Sequence, residues 1–248
     1  LLAEDLLTHG PPASNRLVAN TIVSSSLLAD IAAAHGALHA ECLTGFKWIA
    51  NAAIEHPGPF IMGFEEALGY SIGPVVRDKD GVSAALILLD LASHAKRKGQ
   101  TLWDCLESIY RRYGFIAAEQ AAFTLPGDAG AAQIQSIMAE LRASPPQSLG
   151  GQTVVELRDI QTGRRTDLRT GEVSDEHLPK SNVLALLFEE GDRVLARPSG
   201  TEPKIKFYFE VRVQMKPDDT LSDAREHARE RIEALRADLI DDRFPVLS

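Results

Sequence analysis

The sequence predicts two domains of different character: an α/β mixed-sheet domain with helices on both faces over residues 1–114, then an α+β domain with an antiparallel sheet over residues 115–248. Three observations carry this. Strand-like and helix-like segments alternate as far as Gly114, the pattern of a sheet covered on both sides. Beyond it, strands follow one another and helices are confined to the flanks. The run from Ile205 to Met215 alternates apolar and polar residues without exception, as expected of an antiparallel strand with one solvated face.

In order, Leu17 to Val23 is an apolar strand, and Ser24, Ser25 and Ser26 are candidate caps of a helix carrying Leu27, Leu28 and Ile31 and ending near Gly36. Ala37 to Leu43 is a second strand. The loop Thr44 to Trp48 opens a helix that runs to about Glu55, where Pro57, Gly58 and Pro59 break it. Phe60 to Met62 is a third strand, and Gly63 to Gly81 reads as a polar connection. Val82 to Lys98 is a helix stopped by Gly99; Thr101 with Asp104 forms a capping box for the next, which ends at Gly114.

After the boundary, a strand near Ala117 to Leu125 and a helix from Ala129 to Arg142 precede Pro145 and Pro146. Strands are then expected at Thr153 to Arg158, Val183 to Phe188, Arg193 to Ala196 and Ile205 to Met215. The last helix, Asp223 to Ile240, sets Ala224, Ala228, Ile232, Leu235 and Leu239 on one apolar stripe.

With 35 acidic and 26 basic residues the formal charge is −9, and no basic cluster of the kind that nucleic acid or an anionic membrane surface selects is present. Two cysteines, Cys42 and Cys105, lack metal or redox spacing and are expected in the core, which fits a reducing cytoplasm. No apolar run is long enough to cross a membrane, and Glu4, Asp5, Pro11 and Pro12 interrupt any signal-peptide pattern. The chain opens at Leu1 in what reads as mid-helix, so a piece of a longer protein is expected.

Three loops could carry chemistry. Arg197-Pro198-Ser199-Gly200-Thr201-Glu202-Pro203-Lys204, between two strands, offers a guanidinium fork, two hydroxyls, a glycine that admits close backbone approach and a second cation. At about 1.5–3 kcal/mol per charge-assisted contact, three or four would hold a phosphomonoester in the micromolar range after association costs. The other reading of the same residues is a solvated Pro/Gly hairpin turn. Gly63 to Tyr70 places Glu65 and Glu66 at a strand end; one suits a vicinal diol and the other a cation or solvent, or both are ordinary surface charge. Val76 to Gly81 precedes a helix, with Arg77 and Lys79 able to add positive charge and Asp80 suited to cap; the spacing rejects a calcium loop. Lys47, between Phe46 and Trp48, either lies along the surface or is held by aromatic neighbours. No metal-ligand spacing and no serine-nucleophile elbow is readable.

Together and in this order, these loops resemble the α-D-phosphohexomutase superfamily, the phosphoglucomutases and phosphomannomutases with their phosphopentomutase relatives. Arg197 to Lys204 resembles the family's phosphate-binding loop, and Gly63 to Tyr70 its sugar-binding loop, with Glu65 on the glutamate that contacts sugar hydroxyls and Ala67 where a serine is common. The resemblance covers the third and fourth domains only, the fourth being TATA-binding-protein-like. It implies phosphate binding by Arg197, Ser199, Gly200, Thr201 and Lys204, sugar binding by Glu65 and Glu66, and cleft cations at Lys47, Arg77 and Lys79, all converging on one cleft. Neither the family's catalytic serine motif nor its magnesium loop occurs here, so no catalytic or metal residue is assigned. The implied activity of the whole enzyme is interconversion of hexose 1-phosphate and 6-phosphate through a phosphoserine and a sugar bisphosphate, with Mg2+ and the N-terminal domains of the same chain. The alternatives are a phosphopentomutase, or a stand-alone phosphosugar-binding module without catalysis.

Overall fold

The computed structural model describes residues 1–247. They form two compact units, Leu1–Phe115 with Gln214–Asp218, and Ile116–Val213 with Asp219 onward.

The first unit contains α1 (Leu2–His9), β1 (Leu17–Thr21), α2 (Leu27–Ala34), β2 (Leu38–Cys42), α3 (Phe46–Glu55), β3 (Phe60–Glu65), β4 (Gly69–Ile72), α4 (Gly81–Arg97) and α5 (Leu102–Tyr113). The sheet order is β2-β1-β3-β4. β1 runs parallel to both β2 and β3, and β4 returns antiparallel to β3. Every residue of β1 is buried, because the strand is central and both its faces are covered. Val18 and Met62 pack with Ala3, Leu7, Leu28, Ile31 and Ile109 from α1, α2 and α5. Leu17, Ala19 and Phe60 pack on the opposite side with Phe46 and Ile49 of α3. A methyl group on Gly63 would lie 2.4 Å from Ile49 Cγ2, so only glycine lets α3 sit this close to β3.

Two expectations are corrected here. The stretch Gly63 to Gly81 is not a plain connection: β3 runs on to Glu65 and a hairpin leads into β4, which pairs Gly69 with Glu65 and Tyr70 with Phe64. Of the three candidate caps of α2, Ser26 holds the N-cap position without a side-chain cap bond, Ser25 Oγ accepts the Leu27 N–H at 3.3 Å, and Ser24 is buried and turned toward Glu66. Cys42 is buried, whereas Cys105 is only partly so.

The second unit contains β5 (Phe115–Thr124), α6 (Gly127–Ala143), β6 (Ser148–Leu149), β7 (Gln152–Asp159), β8 (Arg164–Asp167), β9 (Val173–Asp175), β10 (Leu184–Phe188), β11 (Arg193–Pro198), β12 (Lys204–Val213) and α7 (Leu221–Arg236). The sheet order is β5-β12-β11-β10-β7-β8-β9, with β6 beside β7. The register is antiparallel from β12 across to β9. The expected stripe of α7, Ala224, Ala228, Ile232 and Leu235, is buried, and α7 packs on β12. The helix starts at Leu221 behind a Thr220/Asp223 capping box, and Leu239 and Ile240 fall in a π-helical turn, Ala237–Asp242.

β12 differs from its expectation. Its second face is not solvated throughout, because Tyr208 and Glu210 are buried. The strand is central, and Arg193, directly opposite Glu210, covers and neutralises that carboxylate at 2.8 Å.

Candidate functional site

In the first unit β1 lies between β2 and β3, with α2, which joins β1 to β2, on one face of the sheet and α3, which joins β2 to β3 past β1, on the other. Beyond the carboxyl ends of strands at such a switch point lies the crevice in which α/β sheets bind ligands. Three segments meet that edge: the turn after β1, the loop Leu43 to Gly45 after β2, and the β3–β4 hairpin.

Glu65 is the last residue of β3 and is only 5% exposed. Its Oε1 lies 2.5 Å from Lys79 Nζ, while Oε2 is buried with no partner among the described residues. Half of this carboxylate is thus neutralised and half is an acceptor held away from water, a costly state unless a donor arrives. Thr44 Oγ1, after β2, is likewise buried and unpartnered.

Lys79 is placed by the β4–α4 loop. Asp80 accepts from the backbone N–H groups of Val82 and Ser83 at 3.1 and 3.2 Å, and its own N–H donates to the Tyr70 carbonyl at 2.6 Å. The Ser83 hydrogen bonds hold the Asp80 carboxyl below its ordinary value. The hydrogen bond to Glu65 raises the Lys79 ammonium above its ordinary value. A methyl group on Gly69 would lie 2.7 Å from Lys79 Cε, 2.9 Å from Phe46 Cε2 and 3.0 Å from Glu65 Cγ, so glycine admits the close approach of all three.

The other expected residues of this unit go elsewhere. Glu66 turns toward the end of β1, where its Oε2 accepts from Ser24 Oγ at 2.9 Å and Thr21 Oγ1 at 3.2 Å. Lys47 is exposed, with its ammonium 5.4 Å from the centre of the Trp48 ring. Arg77 borders a small cavity with Phe46, Phe60, Ser71 and Val76.

In the second unit Arg197 and Pro198 end β11 and Lys204 begins β12. Ser199 N–H donates to the Lys204 carbonyl at 2.7 Å, closing the hairpin, and Leu125 N–H donates to the Pro203 carbonyl at 2.9 Å, fastening it to the end of β5. Gly200 and Thr201 are exposed at the tip, and Ser199 is half-buried. Lys206, which the sequence pattern assigns to a solvated strand face, stands directly opposite Arg197 in the antiparallel register. Like charges so placed repel, yet no carboxylate among the described residues pairs with either; Lys206 reaches only Gln120 Oε1, at 3.3 Å. A hairpin with cations that no carboxylate among the described residues pairs, hydroxyls and an exposed tip has the chemistry to attract an anion in an otherwise acidic chain.

An α/β unit with a half-satisfied carboxylate at its switch point, followed by an antiparallel unit with a cationic hairpin, is the class of two-domain arrangement seen here. Comparison with known proteins identifies both domains. Residues 1–113 match the phosphoglucomutase/phosphomannomutase alpha/beta/alpha domain III, and residues 134–227 match the phosphoglucomutase/phosphomannomutase C-terminal domain. The chain belongs to the phosphoglucomutase/phosphomannomutase family and comprises its third and C-terminal domains.

A phosphoglucomutase of Staphylococcus epidermidis is 42% identical over 207 residues, covering 82% of this chain and 37% of that protein. One from Staphylococcus aureus is 40% identical over 200 residues, covering 80% and 36%. Among solved structures, the open form of parafusin, a Paramecium phosphoglucomutase, shares the fold with a TM-score of 0.59 at 21% identity, covering 90% of this chain and 38% of that one. The chain therefore spans well under half the length of the relatives it matches. Magnesium, which the family resemblance implies, finds no ligand set here: among the described residues no three His, Cys, Asp or Glu side chains are grouped to hold a metal. No helix among the described residues is long and apolar enough to cross a membrane.

Proposed function

We propose that this chain is the substrate-holding part of a hexose-phosphate mutase. The observation that supports it most is the Arg197–Lys206 juxtaposition, two cations facing each other across a hairpin with no carboxylate among the described residues to neutralise them. A phosphomonoester relieves that repulsion: the Arg197 fork takes two phosphate oxygens, Lys204 and Lys206 add charge, and Ser199, Thr201 and the backbone at Gly200 donate to the rest. Glu65 Oε2 accepts from a sugar hydroxyl while Oε1 stays paired with Lys79. Glu66 is held at the end of β1 instead, and Lys47 and Arg77 are not part of this pair.

In the whole enzyme the chemistry is phosphoryl transfer from a phosphoserine and back through a sugar bisphosphate, which depends on positioning and electrostatics. The serine, the magnesium ligands and the N-terminal domains belong to other parts of the polypeptide. A single carboxylate reading hydroxyls common to both ends of the sugar tolerates the substrate in either orientation. A cytoplasmic setting follows from the same reading, since sugar phosphates are held inside cells.

Calorimetric titration of the 248-residue chain with glucose 6-phosphate, mannose 6-phosphate, glucose 1-phosphate, glucose and inorganic phosphate tests this. The expected order is hexose phosphates first, inorganic phosphate weaker and glucose undetectable, with no interconversion seen by phosphorus NMR. Equal binding of neutral glucose would refute the phosphate hairpin, and turnover by this chain would refute a nucleophile located elsewhere.

A further inference from the structure

The hairpin that carries Glu65 has an unusual tip. Three residues, Glu66, Ala67 and Leu68, join β3 to β4, and Leu68 adopts the left-handed conformation, φ 56°, with its side chain 86% exposed. A leucine in that region is strained, and its side chain gains no burial in return. Something other than local preference must hold the tip.

That anchor lies 42 residues earlier in the chain, at the end of β1. Thr21 and Ser24 are each 1% exposed, and their hydroxyl oxygens are 2.8 Å apart. Both reach Glu66 Oε2, and the Glu66 backbone N–H donates to Ser24 Oγ at 3.1 Å. Each hydroxyl has one proton: Ser24 gives its own to the carboxylate, and Thr21 divides its between Ser24 and Glu66. Side chain and main chain of one residue are thus gripped together, which fixes orientation as well as position. Glu66 is the first turn residue, directly after Glu65, so gripping its main chain and side chain toward β1 fixes the backbone from which Glu65 reaches Lys79.

We propose that Thr21, Ser24 and Glu66 are positioning residues that lock the hairpin so that the free Oε2 of Glu65 meets a sugar hydroxyl. This rests on the reading of Glu65 as the sugar contact. The lock makes the carboxylate a preorganised acceptor, so its orientation is not set at the moment of binding.

The test uses the 248-residue chain with Ser24→Ala, Glu66→Ala and Glu66→Gln, the last keeping one acceptor oxygen. Glu66 is exposed, so its variants remain folded even if Ser24→Ala does not. Two quantities are read: amide hydrogen exchange over residues 65–70, and affinity for glucose 6-phosphate and mannose 6-phosphate beside inorganic phosphate. In Glu66→Ala, exchange should accelerate by about tenfold or more and hexose-phosphate affinity fall about tenfold. Inorganic phosphate binding, which does not use this hairpin, should stay within about twofold, and Glu66→Gln should recover most of the loss. A general loss of structure would move both ligands together. Unchanged exchange in the Glu66→Ala and Ser24→Ala chains overturns the lock even where wild type binds hexose phosphates well. If wild type binds hexose phosphates no more tightly than inorganic phosphate, the sugar reading falls and the positioning role falls with it, whatever the exchange rates.

Discussion

Lys79 Nζ lies 2.5 Å from Glu65 Oε1 and neutralises only that oxygen, leaving Oε2 buried and without a partner among the described residues. The pair is asymmetric in exposure: the lysine side chain is 45% exposed and the glutamate 5%. The cation can therefore shed or exchange water while the carboxylate cannot.

The Lys79 ammonium is raised above its ordinary 10.5 by the Glu65 hydrogen bond. A raised folded value means that the pair's contribution is complete below the unfolded lysine value and is lost as pH rises through the folded one. As pH rises past 10.5 the unfolding midpoint should fall more steeply for wild type than for Lys79→Met, which has no proton to lose there. Parallel curves would show that the ion pair contributes nothing to stability.

Arg197→Ala should weaken inorganic phosphate and hexose phosphates alike by about 1.5–3 kcal/mol, roughly ten- to a hundredfold, in calorimetry. Thermal stability should hold or rise slightly, because Arg197 opposes Lys206 and gives up no hydrogen bond or ion pair seen among the described residues. A large stability loss with unchanged affinity would make the hairpin a purely structural turn.

Gly69→Ala inserts a methyl group 2.9 Å from the buried Phe46 ring and 2.7 Å from Lys79 Cε. The lysine can move aside, but the ring is packed. The expected cost in urea unfolding is about 1–3 kcal/mol, accompanied by weaker hexose-phosphate binding and intact inorganic phosphate binding.

Asp192 is buried, accepts from the Arg212 N–H at 2.8 Å and pairs with Arg231 at 2.5 Å. Asp192→Ala should cost about 2–4 kcal/mol, somewhat below a fully buried pair, because Arg231 is partly exposed and keeps Glu190 at 2.9 Å. Burial raises the Asp192 carboxyl above its ordinary 3.8, against the Arg212 N–H and Arg231. The folded state then holds the proton more tightly, so stability should decline as pH rises from 3.8 to the folded value. Asp192→Asn should lack that decline in denaturant curves taken across the acidic range.

The elements with a strong period are legible in the residues themselves. β12 and the α7 stripe follow from spacing alone, and the Thr101/Asp104 capping box forms with both its hydrogen bonds. The strands that escape such a reading have no apolar period to show. β8 and β9 are short and polar toward the edge of the sheet, and Arg165 of β8 meets Glu156 of β7 at 2.8 Å, so charge and main-chain bonds hold them where a hydrophobic face would not. β4, Gly69–Ile72, exists because β3 is beside it.

The candidate site divides in the same way. Arg197, Ser199, Thr201 and Lys204 sit in one continuous loop, and their chemistry can be read from composition and order. Lys206 cannot, because only the register of β11 against β12 sets it opposite Arg197. Glu65 and Glu66 are adjacent and chemically identical, and nothing local separates their roles.

By itself the sequence determined the two kinds of domain and the course of the main helices and strands, since each of these depends on residues within a turn or two of one another, and it marked the loops proposed to hold phosphate and sugar. The tertiary structure alone decided which carboxylate meets Lys79 and which meets Ser24, that Tyr208 and Glu210 are buried, and that Lys206 joins Arg197. The physical reason is that periodicity records only how the backbone wants to bury its apolar side. A polar group's partner is set by where distant segments of the chain come to lie, and its own neighbourhood in the sequence carries no trace of that.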